Sequence, residues 1–575
     1  MRRSLVGALA ALAAAGCGGS SGGGLGRPVA VFPSKADLDE VMTEETRPVR
    51  ATKTVAVPTW TIKTPVPSPS APYPTETPYD RYFLQAAGGA KPSPALRCAA
   101  LESARFYLEA GGLPDDGVRR YVAARCGSHL PAHQFAYMTG TYPDSFNDEQ
   151  IITSQKKALD DLVATAHLSS ANVAGFGVAR KSGKAALVIF SGRPAAALDD
   201  FNPLVEGASV TLAGHVSGDS AFAHAVITQG NSGVAVCEGD PAVALPKFSV
   251  QCPFSAEDAQ ARIEISTRKP ERVLMNIELG VLVRHTEDAG LTYAPEVRGS
   301  DAEAADATAF ETALFGSLND ARRSANAPPL SLEQPQSSTN EHLAPHLYAA
   351  SSQGNAELAD RIGLGVLAGW DVNGVIRDGG IYWSAITSSR SPGRFLSYAL
   401  ESPLARSILL DPKMTRVAIG ATALEQGAGA LLTTYSFFQT QNHSADEELV
   451  FQDLVKRRRA RHRSPPRRTA RETALDTALV RVSKNQTNTM DAMNEAMARV
   501  VSMEQRGVTG WAVETSDLRQ VPWTNEILDR EPMEVEIGVT HYKAPGGAWG
   551  QYAVLLLLRE SSAVRTASTT APERF

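Results

Sequence analysis

The chain has 575 residues, 43% hydrophobic and 21% charged, enough for two to four domains with cores of their own. Its formal net charge of −6 excludes nucleic-acid binding by bulk charge. Beyond Cys17 no apolar run reaches the ~20 residues of a membrane helix. The nearest, Tyr552-Ala553-Val554-Leu555-Leu556-Leu557-Leu558, has the length of a strand.

At the N-terminus, Arg2 and Arg3 precede the apolar stretch Leu5 to Ala15, followed by Gly16-Cys17 and a glycine-serine run to Gly24. A basic start, an apolar core too short to span a bilayer and small residues before a cysteine form a lipoprotein export signal. Its alternative is an ordinary secretory peptide cleaved nearby. In the lipoprotein reading the thiol of Cys17 is acylated and becomes the membrane anchor, because two or three acyl chains hold where one does not. Palmitate is a natural acyl group there, and signal peptide and lipobox end at residue 17. Gly18, where an aspartate would signal retention, points to the outer membrane in a Gram-negative host.

Residues 18–94 are rich in Pro, Thr and Ser, with Pro65, Pro67, Pro69, Pro72, Pro74 and Pro78 closely spaced. Such a segment favours extended polyproline II and reads as a tether holding the folded part away from the membrane. Trp60, Tyr73, Tyr79, Tyr82 and Phe83 are positioned to dock parts of it on a domain. A proline-rich recognition ligand is the lesser alternative.

From 95 to 200 the pattern predicts a helical unit closed by a hairpin. Leu101, Ala104, Phe106, Tyr107 and Leu108 keep helical spacing, Asp115-Asp116 opens a further helix, and strands on either side of Lys181-Ser182-Gly183-Lys184 follow. Short alternating strands between 201 and 295 predict a small antiparallel β-sandwich. Apart from Cys17 the cysteines are Cys98, Cys126, Cys237 and Cys252. An even number in an exported chain favours disulfides over metal binding. Proximity suggests Cys98 with Cys126 and Cys237 with Cys252, although four cysteines allow three connectivities and spacing alone leaves the other two open.

A further unit spans 300–442. Phe310, Leu314, Phe315 and Leu318 share one helix face, Pro328-Pro329-Leu330 breaks the chain, and helical stretches follow around Leu343 to Ala359 and Phe395 to Leu410. A hairpin across Gln426-Gly427-Ala428-Gly429 closes it. Residues 443–471 carry a dense basic run from Lys456 with no evident apolar face, and read as a solvated linker; a grip on lipid A phosphates, anionic headgroups or nucleic acid is the sharper, lesser reading. A C-terminal α+β unit covers 472–562, with one long helix from about Glu472 to Met503, and 563–575 reads as a disordered tail. Hairpins of similar make occur at Ala174 to Phe190, Val417 to Phe438 and Val535 to Leu558. They are either repeats of one module or the common way to close an α+β layer.

Three stretches in 300–442 carry a family resemblance. Leu314-Phe315-Gly316-Ser317-Leu318-Asn319-Asp320-Ala321-Arg322-Arg323 precedes Ala327-Pro328-Pro329-Leu330; Ser402-Pro403-Leu404-Ala405-Arg406-Ser407-Ile408-Leu409-Leu410-Asp411-Pro412 follows later; Val417-Ala418-Ile419-Gly420 pairs with Leu431 to Phe438. Together they resemble the CAP superfamily, the SCP or cysteine-rich secretory, antigen 5 and pathogenesis-related 1 domain. The resemblance implies an α-β-α sandwich, so the fold class expected for the chain is α+β and multidomain. Members with a complete cleft set histidines and glutamates around it, a donor set suited to a divalent metal. Here Ala405 stands at the histidine position, and Gly379-Gly380-Ile381-Tyr382-Trp383-Ser384 offers no carboxylate where a glutamate belongs. A metal or acid–base site of the family type is therefore not expected. His342 and His346 have the spacing of two ligands on one helix face, but Pro345 lies between them and no Glu follows His342 directly. They read as surface histidines. The candidate cleft comprises His342, His346, Trp383, Ala405 and Arg406.

Gly363-Leu364-Gly365-Val366-Leu367-Ala368-Gly369 lacks the spacing of a dinucleotide fingerprint, and no Gly-x-Ser-x-Gly elbow occurs. No catalytic residue, cofactor or metal is assigned. The expected function is non-catalytic binding at the cell envelope, with a lipid, glycan or protein as ligand and the membrane as partner through Cys17. An envelope peptide or glycan hydrolase with a rearranged site, and a structural or assembly factor, are the alternatives.

Overall fold

The computed structural model describes residues 12–13, 33–43 and 54–560, except 56, 65–70, 132–133, 167, 169–170, 219, 221, 231–232, 270–274, 286–290, 296–297, 353–354, 373, 387–389, 424–430, 442–444, 460, 462–464, 504–506, 516, 520, 531–532 and 544–548. Cys17, most of the export signal, the turn at Gln426 to Gly429 and the tail 563–575 lie outside the described residues. Among the described residues no helix is long and apolar enough to cross a membrane.

The chain is α+β and multidomain. It opens with β1 (Leu12–Ala13), α1 (Lys35–Thr43), β2 (Thr54–Val55) and β3 (Trp60–Ile62). A first module holds α2 (Pro78–Ala86), β4 (Lys91–Pro92), α3 (Pro94–Ala110), β5 (Leu113–Pro114), α4 (Asp116–Arg125), β6 (Gln134–Thr141), α5 (Asp148–Ser154), α6 (Lys156–Thr165), β7 (Val173–Lys181) and β8 (Lys184–Gly192). The sandwich comprises β9 (Ala196–Leu198), β10 (Ser209–Val216), β11 (Phe222–Gln229), β12 (Gly233–Val236), β13 (Glu238–Gly239), β14 (Lys247–Pro253), β15 (Gln260–Arg268) and β16 (Met275–Arg284), with β17 (Leu291–Tyr293) after it. The middle module holds α7 (Ala307–Ser324), β18 (Ser331–Leu332), α8 (Gln334–Ser352), α9 (Ala356–Leu367), β19 (Val375–Ile386), α10 (Pro392–Leu400), α11 (Pro403–Leu409), β20 (Arg416–Ala423) and β21 (Leu431–Gln441). The last module holds α12 (Glu447–Arg459), β22 (Arg467–Arg468), α13 (Thr473–Ser483), α14 (Thr489–Met503), β23 (Val508–Thr515), α15 (Asn525–Leu528), β24 (Met533–Tyr542) and β25 (Gln551–Glu560).

Two compact units result. One takes 1–31, 39–367 and 380–437; the other takes 32–38, 368–379 and 438–575. Within the first, the sandwich sets β1-β16-β15-β11-β12 against β13-β14-β10-β9, with Leu212, Ile227, Ile263, Ile265 and Val281 in the core between them. Alternation explains the choice of faces. Ile263 and Ile265 point into that core, which leaves Arg262 and Glu264 on the opposite side of β15. The structure joins Cys237 to Cys252 across the two sheets, and Cys98 to Cys126 between α3 and the end of α4.

The three hairpins belong to three sheets of the same strand order: β4-β7-β8-β6, β18-β20-β21-β19 and β22-β24-β25-β23. In each, a two-residue strand runs parallel to the first strand of the hairpin. In each, a helix precedes the short strand and a further helix follows it. The details repeat as well. Arg322 in α7 and Arg458 in α12 stand at the same spacing from the start of their short strands, and both are fully buried. Arg322 donates to the carbonyls of Pro328, Leu409, Asp411 and Met414, and Arg458 to those of Ile527, Leu528 and Arg530. Each guanidinium thereby ties its helix to the C-terminal end of the helix that precedes the hairpin and to the chain just beyond it. At this spacing in the first module stands Tyr82, whose hydroxyl meets Asp160 on α6. Gly177, Gly420 and Gly538 also share one offset along their hairpin strands, where the helix after the short strand crosses closest. A Cβ at Gly177 would collide with the backbone of Leu101 in α3, and one at Gly420 with that of Glu341 in α8. At Gly538 it would meet Leu479 Cδ1 at 2.7 Å.

Three sequence expectations change. The basic stretch in 443–471 is not a structureless linker, because Val450, Leu454 and Arg458 form a buried stripe on α12, and Arg468 and Arg471 pair with Glu447. The proposed tether folds at its C-terminal end, where Thr77 and Asp80 make a capping box, Pro78 opens α2, and Tyr79 and Phe83 are buried. The long helix expected from Glu472 is two, separated at Asn485, whose positive φ of 55 ends the first.

Candidate ligand cavity

Of the residues expected to line a cleft, the middle module buries Trp383, Ala405 and Arg406 and leaves His342 exposed. Ser402 caps α11, accepting from the backbone N–H of Ala405, and Pro403 occupies the first helical turn, where its missing N–H costs nothing. Ala405 is 1% exposed and Trp383, on β19, 3%. Arg406 is buried too, its guanidinium donating to the carbonyls of Leu400, Gly230 and Gly233, the last two at 3.0 and 3.1 Å. It therefore clamps the turn between β11 and β12 to the end of α10. His342 is exposed on α8 with Nδ1 2.7 Å from the Ser338 carbonyl, and His346 is half-buried one turn on. Pro345 does not break α8, which runs through it. Trp383 and Ala405 themselves are therefore packed inside the module. Among the described residues no three His, Cys, Asp or Glu side chains come together as a metal set.

Sandwich residues occupy the front of that helix. Glu264, 3% exposed, accepts from Ser402 Oγ at 2.5 Å and from the Leu404 N–H at 3.2 Å, and lies 3.2 Å from Arg262 Nε. One carboxylate from a strand of the sandwich therefore finishes the N-terminal cap of α11. Behind it Val226, Val234 and Ile277 of the sandwich join the apolar core of the middle module.

Beside this contact lies a cavity of about 610 Å³, bounded by Arg120 of α4, Arg262, Glu264 and Thr267 of β15, Glu278 of β16, Tyr382, Tyr398 and Ser402. The Arg120 guanidinium stacks over the Tyr398 ring at 3.7 Å. A second cavity of about 500 Å³ shares Arg262 and includes Tyr293, Glu401 and Arg406. Tyr293 donates to Glu401. Burial pushes the Glu401 carboxyl above its ordinary range, opposed by Arg120, the Tyr293 hydrogen bond and Arg262. Burial likewise raises the Glu278 carboxyl, which the hydrogen bond from Thr267 and the charge of Lys269 partly offset.

Of the residues expected from sequence, only Arg406 reaches either cavity; Trp383 and Ala405 are represented by their neighbours Tyr382 and Ser402. Arg120, Arg262, Glu264, Glu278, Tyr398 and Glu401 went unrecognised, since four separate elements supply them. One local signal existed: Arg262 and Glu264 alternate with two isoleucines, which places two charges on one face of a strand.

No protein-family model matches the chain, and no curated protein matches it in sequence. Among solved structures it is similar to an extracellular protein containing an SCP domain from Bacillus anthracis str. Ames, at 14% identity, 40% of this chain, 78% of the other and a TM-score of 0.17. It is also similar to a cysteine-rich secretory protein from Staphylococcus aureus subsp. aureus Mu50, at 10% identity, 46% and 80% coverage and a TM-score of 0.16. Likenesses of this size establish neither fold nor function.

Proposed function

We propose that this chain is an envelope-displayed, lipid-anchored binding protein with a degenerate CAP-like module at 300–442, and that it binds its ligand without catalysing a reaction. The observation that carries this reading is the state of helix α11. Ala405 stands at the position of the family histidine, lies buried, and is followed by an arginine held by three backbone carbonyls, so no group there is placed to move a proton. The carboxylate nearest to it, Glu264, is committed to Ser402, Leu404 and Arg262. The export signal ending at Cys17 supports display at the envelope, in the outer membrane of a Gram-negative host.

Calorimetric titration of the full chain with Zn²⁺, Mn²⁺ and Ca²⁺ tests the non-catalytic part. No binding that depends on His342 and His346 is expected; a specific isotherm lost in the His342→Ala, His346→Ala double variant would overturn it and favour an envelope hydrolase. Palmitate labelling tests the anchor. Labelling of the wild type, its loss in Cys17→Ser and globomycin-sensitive processing are expected, and labelling that persists in Cys17→Ser refutes it.

A further inference from the structure

We propose that the 610 Å³ cavity beside α11 is a binding site for a neutral, polyhydroxylated ligand, a short oligosaccharide. This rests on the non-catalytic reading above and adds the place and the chemical class of the ligand. The volume falls within the ~300–1,000 Å³ usual for small-molecule sites.

Charge decides the class. Arg262 faces Glu264 at 3.2 Å, Glu278 accepts from Thr267 Oγ1 at 2.9 Å and interacts with the charge of Lys269, and Arg120 lies on the Tyr398 ring with the Glu401 carboxylate in its field. Each of these charges already has a partner inside the protein. An entering ion would shed its water against walls whose charges are already compensated, and desolvating an ion without a counter-charge costs several kcal/mol. A neutral ligand escapes that penalty.

The hydrogen-bonding chemistry points the same way. Guanidinium groups offer several donors in a plane and carboxylates several acceptor sites, while Ser402 and Thr267 do both. Such a mixture suits hydroxyl groups, which donate and accept at once. Tyr382 and Tyr398 add aromatic carbon, the apolar component that sugar C–H faces require. A fatty acyl chain would leave the remaining donors and acceptors of these groups unmatched, which argues against a lipid here.

The test uses the full chain in detergent. N,N′-diacetylchitobiose, cellobiose and maltose are titrated calorimetrically, with inorganic phosphate, glutamate, diglycine and laurate as charged counterparts, and the chain is applied to a glycan array. At least one neutral saccharide is expected to bind. Ser220→Trp and Asn276→Trp, which add bulk at two residues of the cavity lining, are expected to weaken that binding at least tenfold with an unchanged unliganded melting temperature. Preference for a charged probe, saccharide binding untouched by both variants, or no saccharide bound on the array overturns the proposal. Cleavage of a bound saccharide would sink the non-catalytic reading while supporting the ligand class.

Discussion

Removing the Arg322 side chain should open the middle module locally. Its side chain, 0% exposed, links α7 to the carbonyls of Leu409, Asp411 and Met414 by hydrogen bonds of 2.8, 2.9 and 3.1 Å, with Pro328 at 2.8 Å completing the set. A hydrogen bond to a charged group contributes ~1.5–3 kcal/mol, and four on one residue share a single truncation and do not add. The loss of four charge-assisted donations, with the Asp411 carbonyl still accepting from the Met414 N–H, together with the void of the lost stem, puts Arg322→Ala at about 4–5 kcal/mol. Arg322→Lys, which keeps the charge but loses the fork, should cost about 2 kcal/mol. Hydrogen exchange by mass spectrometry reads this directly, since 4 kcal/mol of local opening corresponds to roughly a thousandfold faster exchange. Amides of α11 and β20 should accelerate in Arg322→Ala. In Arg458→Ala the accelerated amides should be those of α15 and β24. A cost below ~1 kcal/mol, or acceleration of the same segments in both variants, would refute the equivalence of the two arginines.

The glycines at the helix crossings should differ in tolerance. Gly420→Ala drives a methyl into the backbone of α8 and should lower stability by about 3 kcal/mol, whereas Gly538→Ala meets only the side chains of Leu479 and Leu475 and should cost about 1 kcal/mol, both by denaturant titration. Equal costs would contradict the geometry. Glu311, half-buried on α7 and accepting from the Ala421 N–H at 2.7 Å, has its carboxyl pushed up to about 7 by burial, against that hydrogen bond and with the added repulsion of Glu341. An acid raised on folding contributes stability that is present below its ordinary value near 4.5 and lost as pH rises through about 7. Glu311→Gln should flatten the melting temperature between those limits, and an unchanged slope would count against the shift.

Local sequence determined much of the scaffold. Ser93-Pro94, Ser391-Pro392 and Ser402-Pro403 each combine a capping hydroxyl with a proline that needs no hydrogen bond, and each begins a helix. Lys181-Ser182-Gly183-Lys184 reads as a tight hairpin, and Ser182 and Gly183 adopt the positive φ values of 49 and 72 that such a turn needs. These signals are legible because their partners lie within a few residues.

Tertiary structure alone decided the rest. The basic character of 456–459 hid a helix, because no local rule says that Arg458 will be dehydrated against three carbonyls some seventy residues away. Ala405 and Trp383 looked like cleft positions from their motif, but the front of α11 is taken by Glu264 from a strand of the sandwich, separated from Ser402 by 138 residues of chain. The cavity walls likewise come from α4, β15, β16 and α10, whose approach depends on shape and charge complementarity between folded parts. Sequence spacing specifies which side chains share a face of one element; which faces meet is settled only when the cores pack, and it is there that this protein forms its pocket.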